Sequence, residues 1–287
     1  MPIDPAIAVG ADLGATTFSW TPREVALYNL AVGAAADPMD PAGLEYVCDA
    51  DPKVLPTFAT VAATFLATQP PTVRFPGVDI DLAKVVHGSQ EVQVHRPLPP
   101  SGTATTSTRI AEVQDKGSAA VIVQESQTVD ETGSPLWTAR SSIFAKGEGG
   151  FGGERGSSTR LTLPEREPDY DLVAPTLPQQ ALLYRLCGDR NPLHSDPQFA
   201  AAAGFPRPIL HGLCTYGTVC RALADAVFGG DTARVGGFGA NFAGVVFPGE
   251  TLRIRAWEDG KRLLASVAVV ERDDAPALAN VVLSPSP

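Results

Sequence analysis

The chain has 287 residues, of which 44% are hydrophobic and 19% charged, so it can bury a sizeable core and is not disordered as a whole. The net charge of −10 argues against a broad nucleic-acid surface, which needs clustered lysines and arginines. No apolar run reaches the roughly 18 residues that cross a bilayer, and the first residues lack the pattern of a signal peptide. We therefore expect a cytoplasmic protein with neither nucleic-acid nor membrane partners.

The first half of the chain predicts helices followed by long strands. Residues 26–33 are apolar at helical spacing and end in glycine, and a second, more apolar helix is expected over about Val54 to Ala67. An alternating, threonine-rich strand follows from Gly102 to Ile110. The charged turn 115–117 then leads into an apolar strand from Ala119 to Val123.

The second half repeats this order. Residues 181–188 again form a short apolar segment that ends in glycine, and an apolar helix is expected from His211 to Phe228. A Pro-Gly turn precedes a strand at 251–254, and the charged turn 259–261 leads into an apolar strand from Leu263 to Val270. The parallel order indicates an internal duplication. Two unrelated α+β domains with similar turns remain the alternative.

A long apolar helix in each half must be wrapped by a sheet, because it has no polar face to show to water. The expected fold is therefore α+β, a double hot-dog in which two antiparallel sheets each wrap a central helix and form a pseudo-dimer. We expect an N-terminal unit at 1–146, a linker rich in glycine and proline at 147–176, and a C-terminal unit at 177–287. Only the second unit contains a loop whose residues suit acid–base chemistry, described below, so we expect the first unit to accommodate the ligand.

One motif at the linker is misleading. Residues 147–152, Gly-Glu-Gly-Gly-Phe-Gly, satisfy the G-x-G-x-x-G pattern of dinucleotide-binding proteins. That pattern works only where a helix begins at the glycines and directs its amides at a pyrophosphate. More glycine, serine and proline follow here, so we expect a loop lying along a ligand.

The residues suited to acid–base chemistry lie in one polar loop of the second half. Asp189 and His194 are five residues apart, and Pro192 stiffens the turn between them. Such a loop can direct a carboxylate and an imidazole at one water molecule, and histidine exchanges protons near neutral pH. An ordinary turn is the structural alternative, because Asp, Asn and Pro are common turn residues.

A second candidate is the Pro-Ile-Leu-His-Gly sequence at 208–212, which leads into the predicted central helix. The first amides of a helix lack internal partners and carry its positive dipole end. Gly212 would let an acyl group approach these amides closely, so that they stabilise negative charge on a thioester oxygen. Tight helix–sheet packing is the other explanation for this glycine.

These residues resemble a known family. The run Tyr184-Arg-Leu-Cys-Gly-Asp-Arg-Asn-Pro-Leu-His194 is similar to the hydratase-2 motif. With its continuation at 208–212, it resembles the hydratase domain of peroxisomal multifunctional enzymes type 2 and their actinobacterial MaoC-like relatives. The likeness extends to Val86-His-Gly-Ser-Gln90, the turn at 115–117 and the glycines of 149–153.

The resemblance implies roles for individual residues. Asp189 and His194 would be the catalytic pair, Asn191 would orient them, and the Gly212 N–H would form the oxyanion hole. The residues that it implies at the substrate or its CoA moiety are His87, Gly88, Lys116, Arg190, Pro192, Leu193 and Phe242. A lysine suits a phosphate, although a plain turn lysine explains Lys116 equally well. Family members often have Arg before that Phe, whereas this chain has Asn241.

The resemblance also implies a reaction: the reversible, (R)-specific hydration of a trans-2-enoyl-CoA, a lyase activity that serves β-oxidation. It needs no metal or redox cofactor, CoA being part of the substrate, and a homodimer is expected. The composition, rich in Ala, Gly, Pro and Val, weakly favours a bulky acyl chain such as a steroid side chain. A hot-dog thioesterase and a non-catalytic acyl-CoA-binding subunit are the alternatives.

Overall fold

Helices and strands follow one another in the same order in both halves of the chain. The computed structural model describes residues 3–48, 50–65, 67–69, 74–80, 85–157 and 160–286. Its α-helices are α1 (Pro5–Ala8), α2 (Pro22–Ala31), α3 (Pro41–Leu44), α4 (Gln180–Tyr184), α5 (Pro197–Ala202) and α6 (Gly212–Phe228). Its strands are β1 (Asp12–Trp20), β2 (Val85–Val94), β3 (Gly102–Asp115), β4 (Ala119–Asp130), β5 (Pro135–Lys146), β6 (Tyr170–Pro175), β7 (Val235–Phe242), β8 (Thr251–Asp259), β9 (Arg262–Val269) and β10 (Ala275–Pro285).

The strands form one ten-stranded sheet in the order β1-β3-β4-β5-β2-β7-β10-β9-β8-β6. Each half contributes five strands in the same internal order, and all pairs are antiparallel. The halves meet where β2 pairs with β7, from Ser89 opposite Asn241 to Gln93 opposite Gly237. The α+β pseudo-dimer is confirmed, with its two sheets hydrogen-bonded into one.

The central helix of the second half is the predicted one. It begins at Gly212, one residue after the predicted start, and ends at Phe228, followed by Gly229 in the left-handed conformation at φ 61°. Its buried side chains include Tyr216, Val219 and Leu223, each 0% exposed. Full burial of such a side chain contributes about 2 kcal/mol, so enclosure by the sheet, rather than capping, stabilises this helix.

The helix predicted over about Val54 to Ala67 is wrong. Residues Pro56–Thr60 form a 3₁₀ turn, and irregular turns continue to Phe65, while residue 66 lies outside the described residues. The Thr60 and Thr64 hydroxyls donate to carbonyls three residues earlier, at 2.8 and 3.0 Å. Short-range hydroxyl bonds of this kind compete with the α-helical ladder.

Strand β6 lies inside the segment 147–176 that the sequence indicates as a linker. It pairs with β8 from Tyr170 opposite Ala256 to Pro175 opposite Thr251, so it belongs to the second half of the sheet. This part of the linker prediction is therefore corrected, while the division into units at 146 and 177 stays a prediction. Among the described residues, no helix is long and apolar enough to cross a membrane.

The glycine-rich segment forms a loop, as expected, and no helix begins within residues 147–157. The Asp115 carboxylate accepts hydrogen bonds from the N–H groups of Gly150 and Gly152, each at 2.8 Å. Both glycines have positive φ, 82° and 79°, which a side chain would make costly. The loop is thus fastened to the turn between β3 and β4.

Candidate active site

The polar loop after α4 has a fixed shape. Gly188 has φ 115°, and a Cβ atom there would lie 2.0 Å from the Thr64 carbonyl oxygen, so only glycine fits. Asp189 Oδ1 accepts the Asn191 N–H at 3.0 Å, and Asn191 Oδ1 accepts the Leu193 N–H at 3.0 Å. Asn191 therefore caps the 3₁₀ turn Pro192–His194 and orients the histidine through the backbone.

The tautomer of His194 follows from one hydrogen bond. Its Nδ1 lies 2.9 Å from the Ile209 carbonyl oxygen, which can only accept, so Nδ1 carries the proton. In the neutral ring Nε2 then has the free lone pair of a base. Burial lowers the pKa of His194, with the Ile209 carbonyl and the Asp189 charge acting in the opposite direction.

Three polar side chains converge here. The Asp189 carboxylate and ring nitrogens of His194 and His211 lie within 4.8 Å of one another. The two imidazoles are stacked, with ring centroids 3.7 Å apart and planes 28° from parallel. This set of side chains can hold a hydrogen-bonded water molecule or act as metal ligands.

The N-terminus of α6 lies beside this cluster, because His211 directly precedes Gly212. The N–H of a first helical residue has no partner within its helix. A Cβ atom at position 212 would lie 2.9 Å from the Phe242 ring, so a side chain there would displace Phe242. Glycine at position 212 therefore allows Phe242 to pack directly against the start of α6.

The first half reaches the site through His87 on β2. Its ring lies 4.6 Å from that of Phe242, and its Nε2 is buried without a hydrogen-bond partner. Burial lowers the pKa of His87 to about 4, and the nearby Asp189 charge opposes that shift. Gly88 occupies the irregularity in the β2–β5 pairing, where a Cβ would lie 2.7 Å from Ser142 Oγ.

The other residues of the resemblance are not all in this cluster. Arg190 Nε donates to the Ala67 carbonyl at 3.3 Å, and Pro192 and Leu193 belong to the turn that carries His194. Lys116 lies between β3 and β4, and its Nζ donates to the Arg155 carbonyl at 2.6 Å. Lys116 and Gly88 both line a groove of about 930 Å³ that neither Asp189 nor His194 lines.

The chain resembles known proteins along its whole length. Residues 18–147 match the MFE-2 hydratase 2 N-terminal domain, and residues 160–277 match the MaoC like domain. A Mycobacterium tuberculosis protein named enoyl-CoA hydratase ChsH3 is 58% identical, with 100% of both chains covered. A MaoC-like dehydratase from Phytophthora capsici superposes with a TM-score of 0.83 at 30% identity, covering 96% of each chain.

The chain belongs to the MaoC-like hydratase-2 family. Its fold agrees with that of a Mycobacterium tuberculosis protein described as a double hot-dog, which has a TM-score of 0.57, 12% identity and coverage of 99% and 98% of the two chains. The motif at 184–194 thus identified the family correctly.

Sequence reasoning missed two features of this MaoC-like protein. It treated His211 only as a neighbour of Gly212, and it placed His87 only at CoA, although His87 also lies near Asp189. The available signal was the scarcity of histidine, since three of only four histidines gather at one site.

Proposed function

We propose that the chain catalyses the reversible hydration of trans-2-enoyl-CoA thioesters to (3R)-3-hydroxyacyl-CoA. The observation that carries the proposal is His194, whose Nδ1 is bound to a carbonyl, which leaves Nε2 as a base, and whose ring has a nitrogen within 4.8 Å of the Asp189 carboxylate and a second imidazole. The start of α6 lies next to this pair. The 58% identical relative is itself named an enoyl-CoA hydratase, which supports the same reaction here.

The chemistry requires a base, an acid and a site for negative charge. The thioester oxygen accepts the Gly212 N–H, which polarises the conjugated double bond and makes C3 electrophilic. Water held by Asp189, His194 and Asn191 gives a proton to His194 Nε2 while its oxygen bonds to C3. The displaced electron pair of C2=C3 moves onto the thioester as an enolate, and C2 then takes a proton from the His194–Asp189 pair.

The CoA moiety has a candidate location in the groove on the sheet. Gly88 and Lys116, both assigned to CoA by the resemblance, line it together with Asn241, at the end of the β2–β7 ladder. Beyond Ser89 and Asn241 the two strands no longer pair, and there His87 and Phe242 approach the catalytic loop. A pantetheine arm passing this point would connect the groove with Asp189.

We further propose that the acyl chain is bulky and lies in the first half, with a steroid side chain as the specific candidate. The support is the 3₁₀ turn at Pro56–Thr60, which stands where the second half has the 17-residue helix α6. A shorter central element occupies less of the space inside the sheet. The pathway would then be the β-oxidation of such side chains, in a cytoplasmic homodimer.

The deciding experiment compares linear enoyl-CoAs of rising length with a steroid-linked enoyl-CoA. We expect the enoyl absorbance to fall for all of them, with the largest kcat/KM for the bulky substrate and a (3R) product by chiral analysis. Release of free CoA thiol would instead indicate a thioesterase. Tight acyl-CoA binding without turnover would indicate a binding subunit, and either result would overturn the proposal.

A further inference from the structure

The two stacked imidazoles of His194 and His211 are almost completely buried. His211 is 1% exposed and His194 is 9% exposed, so the faces in contact are shielded from water. The ring of Tyr184 lies 4.9 Å from His211, which encloses the second imidazole further. His194 therefore cannot tilt towards His211, and its Nε2 is held by this contact as well as by the bond from Nδ1 to Ile209.

His211 also contacts the other catalytic residue. Its Nε2 lies 3.4 Å from the backbone carbonyl oxygen of Asp189, so the Nε2–H donates a long hydrogen bond to the loop. Its Nδ1 is buried with no partner. A proton on Nδ1 would place an unsatisfied charged donor in the interior, which is costly, so His211 is neutral and its Nε2–H tautomer is fixed.

We propose that His211 is a positioning residue for the hydration reaction, fixing the His194 ring by stacking and the Asp189 backbone by hydrogen bonding. The proposal rests on the proposed function. When His194 takes a proton from water, it becomes a cation whose face lies on a neutral aromatic ring, an arrangement that favours the cation. His211 thus holds the base before the reaction and stabilises its charged form during it, without touching the substrate.

The charges around the pair are consistent with this assignment. Asp189 faces His194 and favours its protonated form, whereas Arg185 lies near His211 and disfavours a charge on it. Burial, the His194 charge and Arg185 together lower the pKa of His211 to about 2. Beyond Asp189 lies His87, whose pKa burial lowers to about 4, so it adds no positive charge near neutral pH.

The test uses His211→Ala, which removes both contacts, and His211→Phe, which keeps a stacked ring but has no donor. His95→Phe is the matched control, because His95 is exposed and the hydrogen bond of its ring is to the Thr138 hydroxyl. For each we would measure kcat with an enoyl-CoA, the acid limb of kcat/KM against pH, and Tm.

We expect His211→Ala to lower kcat on the order of 10²-fold, because the base is no longer aligned. Its acid limb should move to higher pH, because water would reach His194 and relieve the burial that is the main cause of its lowered pKa, and this gain exceeds the loss of the stacked neutral ring. His211→Phe should leave the acid limb in place and lower kcat by up to about 10-fold, the effect of one hydrogen bond. His95→Phe should change neither quantity.

Two results would overturn the proposal. One is a wild-type kcat together with an unmoved acid limb in His211→Ala. The other is an equal loss of kcat in both variants, with an unmoved acid limb and a lowered Tm, because that combination indicates that His211 contributes only to packing. If His211→Ala does not fold, His211→Phe decides, and either unchanged kcat or a shifted limb counts against the proposal. If the wild type hydrates no enoyl-CoA, the proposed function fails separately, and NMR titration of the His194 ring in wild type and His211→Phe still tests the stacking.

Discussion

At the scale of single residues, the site is a set of neutral imidazoles around one carboxylate. Burial lowers the pKa of His87, His194 and His211, so each tends to stay uncharged near neutral pH. His194 is bound to the Ile209 carbonyl through Nδ1, which leaves Nε2 as its free nitrogen, whereas His211 donates from Nε2 to the Asp189 carbonyl at 3.4 Å. The base is thus distinguished from its neighbours by hydrogen bonding rather than by residue type.

Removal of either catalytic group tests this interpretation directly. Asp189→Asn keeps the shape of the side chain but loses the charge, and His194→Gln loses the base. Each should lower kcat on the order of 10³-fold, because each removes an acid–base group, with little change in Tm. The comparison is Asp196→Asn, at the N-cap of α5, which should retain activity. Near-normal turnover in both catalytic variants would end the assignment.

The pH dependence follows from the direction of the His194 shift. A general base must be neutral, so activity is present above the pKa of His194 and is lost as pH falls through it. Because burial lowers that pKa below the ordinary value of 6.5, the acid limb of kcat/KM should lie at lower pH than for a solvent-exposed histidine. An acid limb above pH 6.5 would contradict the buried, neutral base.

At the scale of elements, the catalytic loop is built against the first half. The Thr64 carbonyl meets Gly188, Thr64 Oγ1 donates to the Cys187 carbonyl at 3.2 Å, and Arg190 bonds the Ala67 carbonyl. Thr64 and Ala67, which follow the 3₁₀ turn, therefore support the loop that carries Asp189 and His194. The first half therefore contributes to the shape of the candidate site through these contacts.

The substitution Gly188→Ala tests how much the contact between Gly188 and Thr64 contributes to stability and activity. Gly188→Ala combines a left-handed backbone with a Cβ 2.0 Å from the Thr64 oxygen, so it should lower the free energy of unfolding by about 3 kcal/mol and reduce kcat. Gly204→Ala is the matched control, since Gly204 also has positive φ, 88°, but no atom lies within 4 Å. It should cost about 1 kcal/mol. Equal losses in urea unfolding would show that the Thr64 contact is unimportant.

At the scale of the whole molecule, one continuous sheet joins the two halves of the chain. The pairing of β2 with β7 brings His87 from the first half to Phe242 and Gly212 of the second. The groove beside this junction is lined by residues of both halves, among them Lys116 and Asn241. A substrate that spans the groove and the loop would therefore contact both units at once.

The proposed location of CoA in the groove can be tested with two lysines that lie in corresponding turns of the two halves. Lys116→Ala should raise KM for an enoyl-CoA about 10-fold with kcat nearly unchanged, because a phosphate partner is lost far from the reacting atoms. Lys261→Ala, in the corresponding turn between β8 and β9, should leave KM unchanged. Equal effects of the two substitutions in steady-state kinetics would place the CoA elsewhere.

Much of this protein was predictable because the deciding features are local or periodic. The duplication, helix α6, the glycine-rich loop and the motif from Tyr184 to His194 all depend on short sequence spans, turn chemistry and apolar patterning. The first-half helix was mispredicted because apolar spacing outweighed the threonines, whose hydroxyls bond the backbone at short range. The strand β6 was missed because the strand with which it pairs, β8, lies about 80 residues later in the chain.

The sequence alone determined the family and the double hot-dog fold, and it predicted that Asp189 and His194 lie close together, because five residues with a proline between them can adopt few arrangements. Only the tertiary structure decided which other groups surround that pair. His87 and Thr64 reach the loop of Asp189 and His194 from more than 100 residues away, and His211, beyond helix α5, stacks on His194. Such contacts depend on how the two halves pack. Packing results from many small free-energy contributions of buried side chains, which no local sequence pattern predicts.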